Sequence, residues 1–258
     1  MGIGKRSVLL NDFGKAVERG IRLDELGIKT VGVDATIWQL HAKCFMDYCG
    51  ERIDVLQQNG LIPTLVFDEN ATPLKTEIKK LRKAIKDDNK KKGQEIRDVD
   101  SDSDINYSDD EHVDNEGTFK KPKQCYIPDR SKVLKWLTNE RKVDFIVAPY
   151  EADAQLAYLA NNGIVDAVIT EDSDLVAFGC PNIIYNMSVE EQTCDYYSFS
   201  RLKEKNDDYK KFTPKMLLEM CIMIGCDYLP NMKGIGIRKA REEISKWGNY
   251  FDREEDGA

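Results

Sequence analysis

Four short apolar runs, rich in β-branched residues, recur along this chain, and each ends at or just before an acidic residue. They span residues 30–34, 63–68, 143–149 and 166–172. Runs of this length and composition predict buried β-strands. Apolar residues at helical spacing separate most of them, as in Leu156, Leu159 and Ala160 after the third run. The alternation of strand and helix predicts an α/β fold with a mostly parallel central sheet flanked by helices.

Composition limits the environment and the partners of the chain. Its 258 residues, 41% of them hydrophobic, suit one main domain with appendages. The net charge of −8 is local, because residues 98–116 hold nine acids and neither Lys nor Arg. The remainder is nearly neutral, so a phosphate-rich partner is not excluded. Seven cysteines without a C-x-x-C pair predict a reducing compartment, and no apolar run is long enough to predict a membrane span.

Changes in composition predict four segments. Residues 1–74 and 126–212 are predicted to form the two parts of the core, and residues 213–258 a C-terminal helical element. Between the core parts, residues 75–125 begin as a basic amphipathic helix, with nine bases and three acids in residues 75–92. The Asp- and Ser-rich sequence that follows predicts little fixed structure. Thr213 is predicted to cap an apolar helix that has Pro214 in its first turn.

Acidic residues follow the predicted strands at the positions where ligands bind to α/β sheets, outside the carboxyl ends of the strands. The candidates are Asp34, Asp68, Glu151, Asp153, Asp172, Asp174 and Asp227. Two unit charges ~4 Å apart repel by ~4 kcal/mol at an effective dielectric of ~20, so such a cluster predicts either bound cations or acids that stay protonated. Bound divalent cations are the simpler explanation. Oxygen ligands favour Mg²⁺ or Mn²⁺, and two such ions would suit hydrolysis of a phosphodiester.

Each acid also has a simpler interpretation. Glu151 and Asp153 could be first-turn acids that favour a helix N-terminus, and Asp172 and Asp174 could shape a turn. Recurrence at every strand end of one sheet edge favours metal binding over unrelated caps. The only histidines are His41 and His112, so hydrolytic chemistry would rest on carboxylates or cations.

Three longer motifs resemble the structure-specific 5′ nucleases, the superfamily of flap endonuclease, exonuclease-one and the xeroderma pigmentosum group G nuclease. They are APYEADAQLAYL at 148–159, ITEDSDLVAFGC at 169–180 and GCDYLPNMKGIGIRKA at 225–240. The resemblance extends to the N-terminal MGI, to VGVDATIW and to PTLVFD, and EDSDLVAFGC is most similar to exonuclease-one. It implies a PIN-like nuclease core, an arch-like insertion and a C-terminal helix-two-turn-helix DNA-binding element.

The resemblance also implies roles for individual residues. The family's seven metal-binding carboxylates match the seven candidate acids, with Lys75 and Arg82 as catalytic residues that stabilise charge on the phosphate. The implied DNA contacts are Gly2, His41, Lys86, Lys233, Gly234, Gly236, Arg238 and Lys239. His41 would stack on an unpaired base or, alternatively, pack within its helix. A K⁺ ion would bind the backbone carbonyls of Ile224, Asn231 and Ile235.

The function implied is a Mg²⁺-dependent nuclease, with Mn²⁺ as a substitute, that acts as a 5′ to 3′ exonuclease with flap endonuclease activity in DNA repair or replication. We expect a nuclear monomer whose partners are DNA 5′ ends, flaps, nicks or gaps, with no membrane partner and no clamp-binding motif. The alternatives are a flap endonuclease proper, a non-catalytic nucleic-acid-binding scaffold, and a phosphohydrolase with Asp68 as nucleophile. We also hypothesise that the acidic insertion competes with DNA for the basic helix.

Overall fold

The computed structural model describes residues 6–40, 45–69, 130–226, 229, 232 and 234–247. Its centre is a seven-stranded sheet. The strands are β1 Val17–Arg22, β2 Thr30–Asp34, β3 Ile62–Asp68, β4 Asp144–Ala148, β5 Ala167–Ile169, β6 Asn182–Ser188 and β7 Thr193–Ser198. Their order across the sheet is β1-β7-β6-β5-β2-β3-β4. The pairings from β6 to β4 are parallel, and β7 and β1 add antiparallel pairings at the other edge.

Helices precede, follow or separate these strands. They are α1 Arg6–Phe13, α2 Ala35–Leu40, α3 Phe45–Gln58, α4 Arg130–Trp136, α5 Ala152–Asn161, α6 Asp174–Ala177, α7 Phe199–Lys205, α8 Pro214–Ile224 and α9 Ile237–Trp247. A π-helical turn, Leu137–Arg141, continues α4, and 3₁₀ turns occupy Gly14–Ala16, Leu23–Glu25 and Asp207–Tyr209. In the described part of the chain, we find no helix that is long and apolar enough to cross a membrane.

Alternation of side chains along the strands builds two apolar cores, one on each face of the sheet. In β3, Val66 belongs to one core, whereas Leu65 and Phe67 belong to the other. In β5, Val168 and Ile169 divide in the same way. Because successive side chains of a strand point to opposite faces, this division identifies a sheet covered on both sides. The first core includes residues of α5, α8 and α9, and the second includes residues of α3 and α4.

Local sequence features explain how two of the helices begin and pack. Thr213 caps α8, since its hydroxyl accepts a hydrogen bond from the backbone N–H of Met216 at 3.2 Å, and Pro214 is the first helical residue. Helix α5 packs closely against β2 at Gly32, where an added Cβ would lie 2.8 Å from a methyl carbon of Leu156. A side chain at position 32 would therefore have to displace Leu156, so glycine allows the close approach of α5 to the strand that ends at Asp34.

The predicted α/β class with a mostly parallel sheet is confirmed, and the four predicted strands correspond to β2, β3, β4 and β5. Strands β1, β6 and β7 were not predicted, because polar residues interrupt their apolar pattern. The predicted division into residues 1–74, 75–125, 126–212 and 213–258 stays a prediction. The predicted basic helix and acidic insertion, residues 75–125, lie entirely outside the described residues.

Candidate active site

The carboxyl ends of four neighbouring strands meet at one edge of the sheet. Asp34 is in register with Val66 on β3, and Asp68 is in register with Ala148 on β4. On the other side of β2, Val33 is in register with Ile169, which ends β5. Asp34 and Asp68 end their strands, and the remaining described acids follow β4 and β5 within a few residues. The fold therefore brings the backbones of the described acids to one rim, hereafter the carboxylate edge.

A chain of hydrogen bonds runs from the end of β2 to the segment after β5. The carboxylate of Asp34 accepts a hydrogen bond from the backbone N–H of Thr36 at 3.0 Å and another from the hydroxyl of Thr170 at 3.3 Å. The same hydroxyl oxygen of Thr170 accepts the backbone N–H of Asp172 at 3.0 Å. Asp172 in turn accepts the backbone N–H of Asp174 at 3.1 Å. Buried Thr170 thus joins acids that are distant in the sequence.

A second group of hydrogen bonds joins β3 to the start of α5. The carboxylate of Asp68 accepts the backbone N–H of Ala152 at 2.5 Å. Next to it, the backbone N–H of Glu69 donates to the carbonyl of Tyr150 at 3.0 Å. The guanidinium of Arg130 also donates to the backbone carbonyl of Asp68. These contacts position Asp68 beside the helix that carries the Glu151 and Asp153 positions.

Several acids of the carboxylate edge are buried, which is unfavourable for an ionised carboxylate. Asp34, Glu151 and Asp174 are only 5%, 7% and 4% exposed, although ionised carboxylates avoid burial unless they are compensated. Besides burial, the charges of Asp153 and Asp174 also raise the pKa of two buried cysteines. Burial raises the pKa of the Cys180 thiol to about 12, and the negative charge of Asp153 contributes to this shift. Burial likewise raises the pKa of Cys221, with a contribution from Asp174.

The simpler interpretation of the acids as caps and turn formers applies to some of them. Asp34 and Asp172 each accept the backbone N–H two residues ahead, as turn-forming aspartates do. Glu151 stands at the N-cap position of α5, yet in the described structure its side chain caps no helical N–H. Turn formation therefore explains the geometry of Asp34 and Asp172 but not the burial of Glu151.

The donor set fits hard divalent cations. The six described acids offer only carboxylate oxygens, the ligand type that Mg²⁺ and Mn²⁺ prefer. Within the described residues, no group of three or more acidic, histidine or cysteine side chains is already arranged as metal ligands. The fit therefore rests on donor chemistry, on burial and on the shared sheet edge.

The predicted DNA contacts within the described residues lie just before α9 and in its first turn. Gly234, Gly236, Arg238 and Lys239 are all exposed. Gly234 has φ +78°, which favours glycine, and a Cβ on either glycine would meet nothing within 4 Å. The described part of the chain therefore leaves space at both glycines. Of the predicted K⁺ carbonyls, Ile224 ends α8, and Ile235 follows a turn in which its N–H donates to Met232 at 3.0 Å.

Eight predicted site residues lie outside the described residues: Gly2, His41, Lys75, Arg82, Lys86, Asp227, Asn231 and Lys233. Their roles stay predictions. Conversely, Thr170, Tyr150 and Arg130 contact this edge but were not predicted from the sequence. The first two lie inside the recognised motifs, beside acids that were selected, but their sequence positions do not reveal that they join two strand ends. Arg130 was missed because its contact with Asp68 crosses 62 residues of sequence.

Sequence comparisons place these residues among known proteins. The XPG I-region family model matches residues 142–227. Exonuclease 1 of Oryza sativa subsp. japonica is 34% identical over 253 residues, a match that covers 90% of this chain and 28% of that protein. Flap endonuclease 1 of Enterocytozoon bieneusi is 30% identical over 194 residues, covering 74% of this chain and 50% of that protein. The chain thus spans half or less of the length of these relatives.

Solved structures give a consistent result. The catalytic core of Rad2 in complex with DNA substrate superposes with a TM-score of 0.67 at 25% identity, covering 93% of this chain and 68% of that chain. The Holliday junction-resolving enzyme GEN1, in complex with product DNA and Mg²⁺, has a TM-score of 0.60 at 22% identity, covering 94% of this chain and 51% of that chain. The second likeness is evidence for the fold alone.

Proposed function

This chain belongs to the structure-specific 5′ nuclease superfamily, and we propose that it carries the metal-dependent catalytic core of a DNA nuclease acting at or near 5′ ends. The reaction is hydrolysis of phosphodiesters, as a 5′ to 3′ exonuclease that also cuts flaps, in DNA repair or replication. The observation that carries this proposal is the carboxylate edge, where acids from four adjacent strand ends collect beside hydrogen bonds that link them.

Two groups of acids would hold the cations. Asp34, Asp68, Glu151 and Asp153 would serve mainly one ion, and Asp172, Asp174 and Asp227 the other. When bound, two Mg²⁺ or Mn²⁺ ions supply an activated water and stabilise the leaving oxygen of the phosphodiester. The oxygen donors of the described acids support a divalent ion for this chain. The K⁺ site at Ile224, Asn231 and Ile235 is part of the same proposal.

The chain's own residues orient the acids. The Thr170 hydroxyl donates a hydrogen bond to Asp34 and accepts one from the backbone N–H of Asp172. It therefore links the end of β2 to the segment after β5. The N–H of Ala152 fixes the carboxylate of Asp68 against α5. Such partners restrict the rotation of ligand side chains and thereby make the ligand set rigid. We propose that carboxylates, and water molecules oriented by them, carry out proton transfer near this edge.

DNA binding would use residues at the start of α9 together with residues elsewhere in the chain. Arg238 and Lys239 are exposed cations at the start of α9, and Gly234 and Gly236 leave room for a nucleic-acid backbone. Lys233 would join them as a DNA contact. Gly2, His41 and Lys86 are further proposed DNA contacts, and Lys75 and Arg82 would stabilise charge on the phosphate. The similarity to the DNA-bound Rad2 core supports a DNA partner. A DNA substrate in turn supports the predicted nuclear location, where we propose that the protein acts as a monomer.

The proposal is tested with end-labelled 5′-flap, nicked and recessed duplexes, incubated with and without Mg²⁺. We expect Mg²⁺-dependent products that shorten recessed 5′ ends and release flaps. Asp172→Ala should abolish cleavage and leave DNA binding largely intact, because it removes a cation ligand at the carboxylate edge. Asp166→Asn is the matched control. Asp166 lies at the opposite end of β5, so this variant should cleave DNA at the wild-type rate. Full cleavage in excess chelator, or unaltered turnover by Asp172→Ala, would refute the proposal.

A flap endonuclease proper is the second candidate, favoured by the similarity to flap endonuclease 1 of Enterocytozoon bieneusi. It uses the same acids, and it differs by preferring one cut at a junction over successive removal of nucleotides. The product pattern on recessed and flapped duplexes distinguishes the two enzymes. A non-catalytic scaffold would bind these duplexes and release no product in Mg²⁺.

A further inference from the structure

Asp12, near the end of α1, contacts residues from two distant parts of the chain. Its Oδ2 accepts a hydrogen bond from the hydroxyl of Tyr209 at 2.5 Å. The same oxygen accepts one from the Arg241 guanidinium at 2.6 Å. The side chains of Arg241 and Asp12 are only 15% and 12% exposed, so this pair is largely shielded from water. Charge-assisted hydrogen bonds in such surroundings are short and have a defined geometry.

Further contacts fasten the 3₁₀ turn Asp207–Tyr209 between α1 and α9. A second guanidinium nitrogen of Arg241 lies 3.0 Å from a carboxylate oxygen of Asp208. The side-chain amide of Asn206 donates to the carbonyl of Asp12 at 3.1 Å. The Tyr209 ring packs edge-on against Phe13, with ring centroids 5.4 Å apart. Burial raises the pKa of Tyr209, and its bond with Asp12 adds to the shift, so the phenol remains a neutral donor.

These contacts restrict how α9 rotates about its own axis. Ala240 and Ile244 are buried one turn apart on the face toward the core. Arg238 and Lys239 lie on the exposed side of the same helix. Because successive residues of an α-helix are separated by about 100°, anchoring Arg241 to Asp12 sets the direction in which both exposed cations project. Apolar packing by itself is compatible with small rotations and slides, which a charge-assisted contact at its flank opposes.

We propose that Asp12 is a positioning residue for duplex binding: together with Tyr209 and Arg241, it holds α9 so that the exposed cations meet DNA phosphates at a constant distance from the carboxylate edge. This inference rests on the proposed function, since it concerns the DNA contacts of that nuclease. In this role Asp12 would act through α9 and not by direct contact with DNA or with the cations. Its loss should therefore weaken binding of duplex DNA and leave the chemical step nearly unchanged.

The test uses the full chain with Asp12→Asn and a matched control, Glu18→Gln. Glu18 accepts two hydrogen bonds from Arg201, at 2.5 and 2.6 Å, and this pair joins β1 to α7 without involving α9. Both variants neutralise one acid of an Arg–carboxylate pair. We expect Asp12→Asn to raise KM for a recessed duplex by about tenfold, with kcat changed less than about twofold, whereas Glu18→Gln changes neither.

Equilibrium binding in chelator separates this inference from the proposed function. Asp12→Asn should weaken duplex binding and flatten the dependence of log Kd on log salt, because fewer phosphate contacts form. Adding Arg241→Gln to Asp12→Asn should weaken binding no further, because the two side chains act as one unit. Tyr209→Phe keeps the ring packing and should show a smaller effect in the same direction.

The outcomes are distinct. Wild-type affinity and salt dependence in folded Asp12→Asn, or an equal loss of affinity in Glu18→Gln, would overturn the positioning role. If Asp12→Asn does not fold, the milder Tyr209→Phe decides: unchanged duplex affinity in this variant contradicts the inference. Absence of Mg²⁺-dependent cleavage by the wild-type protein would instead refute the proposed function, and the binding measurements in chelator would still test Asp12.

Discussion

A hydrogen bond from a threonine hydroxyl to an aspartate carboxylate joins β2 to a residue that flanks β5 at each end of the ladder between these strands. At the amino end, Thr30 donates to Asp166 at 3.0 Å and accepts its backbone N–H at 3.1 Å. At the carboxyl end, Thr170 donates to Asp34 at 3.3 Å and accepts the backbone N–H of Asp172 at 3.0 Å. The chemistry of the two pairs is the same, and their surroundings differ.

At the amino end, the carboxylate is exposed to water and satisfied by the chain. One oxygen of Asp166 accepts the backbone N–H groups of Lys29 and Thr30, each at 2.8 Å, in addition to the threonine hydroxyl. These bonds, first those of the Thr30 and Lys29 backbones, lower the pKa of Asp166. At the carboxyl end, Asp34 is buried at the carboxylate edge. The first arrangement stabilises the fold, whereas the second concentrates negative charge that a bound cation would compensate.

The largest effect that separates the two ends is expected from Asp34→Asn. It should lower the rate of Mg²⁺-dependent DNA cleavage by at least about 100-fold, because it removes a charged cation ligand at the proposed centre. In chelator, its free energy of unfolding should change by less than about 1 kcal/mol, since relief of repulsion offsets a weakened hydrogen bond. Single-turnover cleavage and urea denaturation measure both quantities. Wild-type cleavage by this variant would remove Asp34 from the site.

The threonines provide a matched pair with a smaller effect. Thr170→Val should lower cleavage by about 10-fold, because Asp34 and the Asp172 backbone lose the hydroxyl that orients them. Thr30→Val should leave cleavage unchanged and, like Thr170→Val, reduce stability by about 1 kcal/mol. Comparing the two rates at saturating Mg²⁺ checks this expectation. Equal rates would mean that the carboxyl-end threonine supports only the fold.

Asp166→Asn tests the amino end directly. We expect it to lower the free energy of unfolding at neutral pH by about 1–2 kcal/mol, because three donors lose an anionic acceptor that is only partly shielded from solvent. Cleavage per folded molecule should not change. Urea denaturation followed by circular dichroism gives the first quantity, and the flap assay gives the second. A loss of cleavage without a loss of stability would reverse the roles assigned to the two ends.

The smallest expected effect is the pH dependence of the stability that Asp166 contributes, at acidic pH. A folded-state pKa below the ordinary aspartate value of 3.8 means that Asp166 contributes its stability above that pH. The contribution is lost as the pH falls through the lowered pKa. The stability difference between the wild-type protein and Asp166→Asn should therefore shrink as the pH falls below about 4. Denaturation curves between neutral and strongly acidic pH measure the difference, and a constant gap would contradict the assignment.

Parts of this fold were predictable because the signals are local. The runs that became β2, β3, β4 and β5 are mostly apolar, as expected for strands buried on both faces of a sheet. Thr213 followed by Pro214 marks the start of α8, because a cap depends only on neighbouring residues. Strands β6 and β7 were missed, since residues such as Asn182, Asn186 and Asp195 interrupt their apolar pattern and β7 pairs antiparallel.

What the amino-acid sequence determined alone is the identity of the acids and their positions at strand ends. Parallel strands joined by helices must place their carboxyl ends at one edge, so local patterns sufficed to predict that the described acids follow strands ending at the same edge. The complete ligand set stays a prediction. Only the tertiary structure decided that Thr170 bonds to Asp34 across 136 residues and that Arg241 bonds to Asp12 across 229. Such partners depend on strand order and helix rotation, which arise from packing of the whole chain and leave no periodic trace in the sequence.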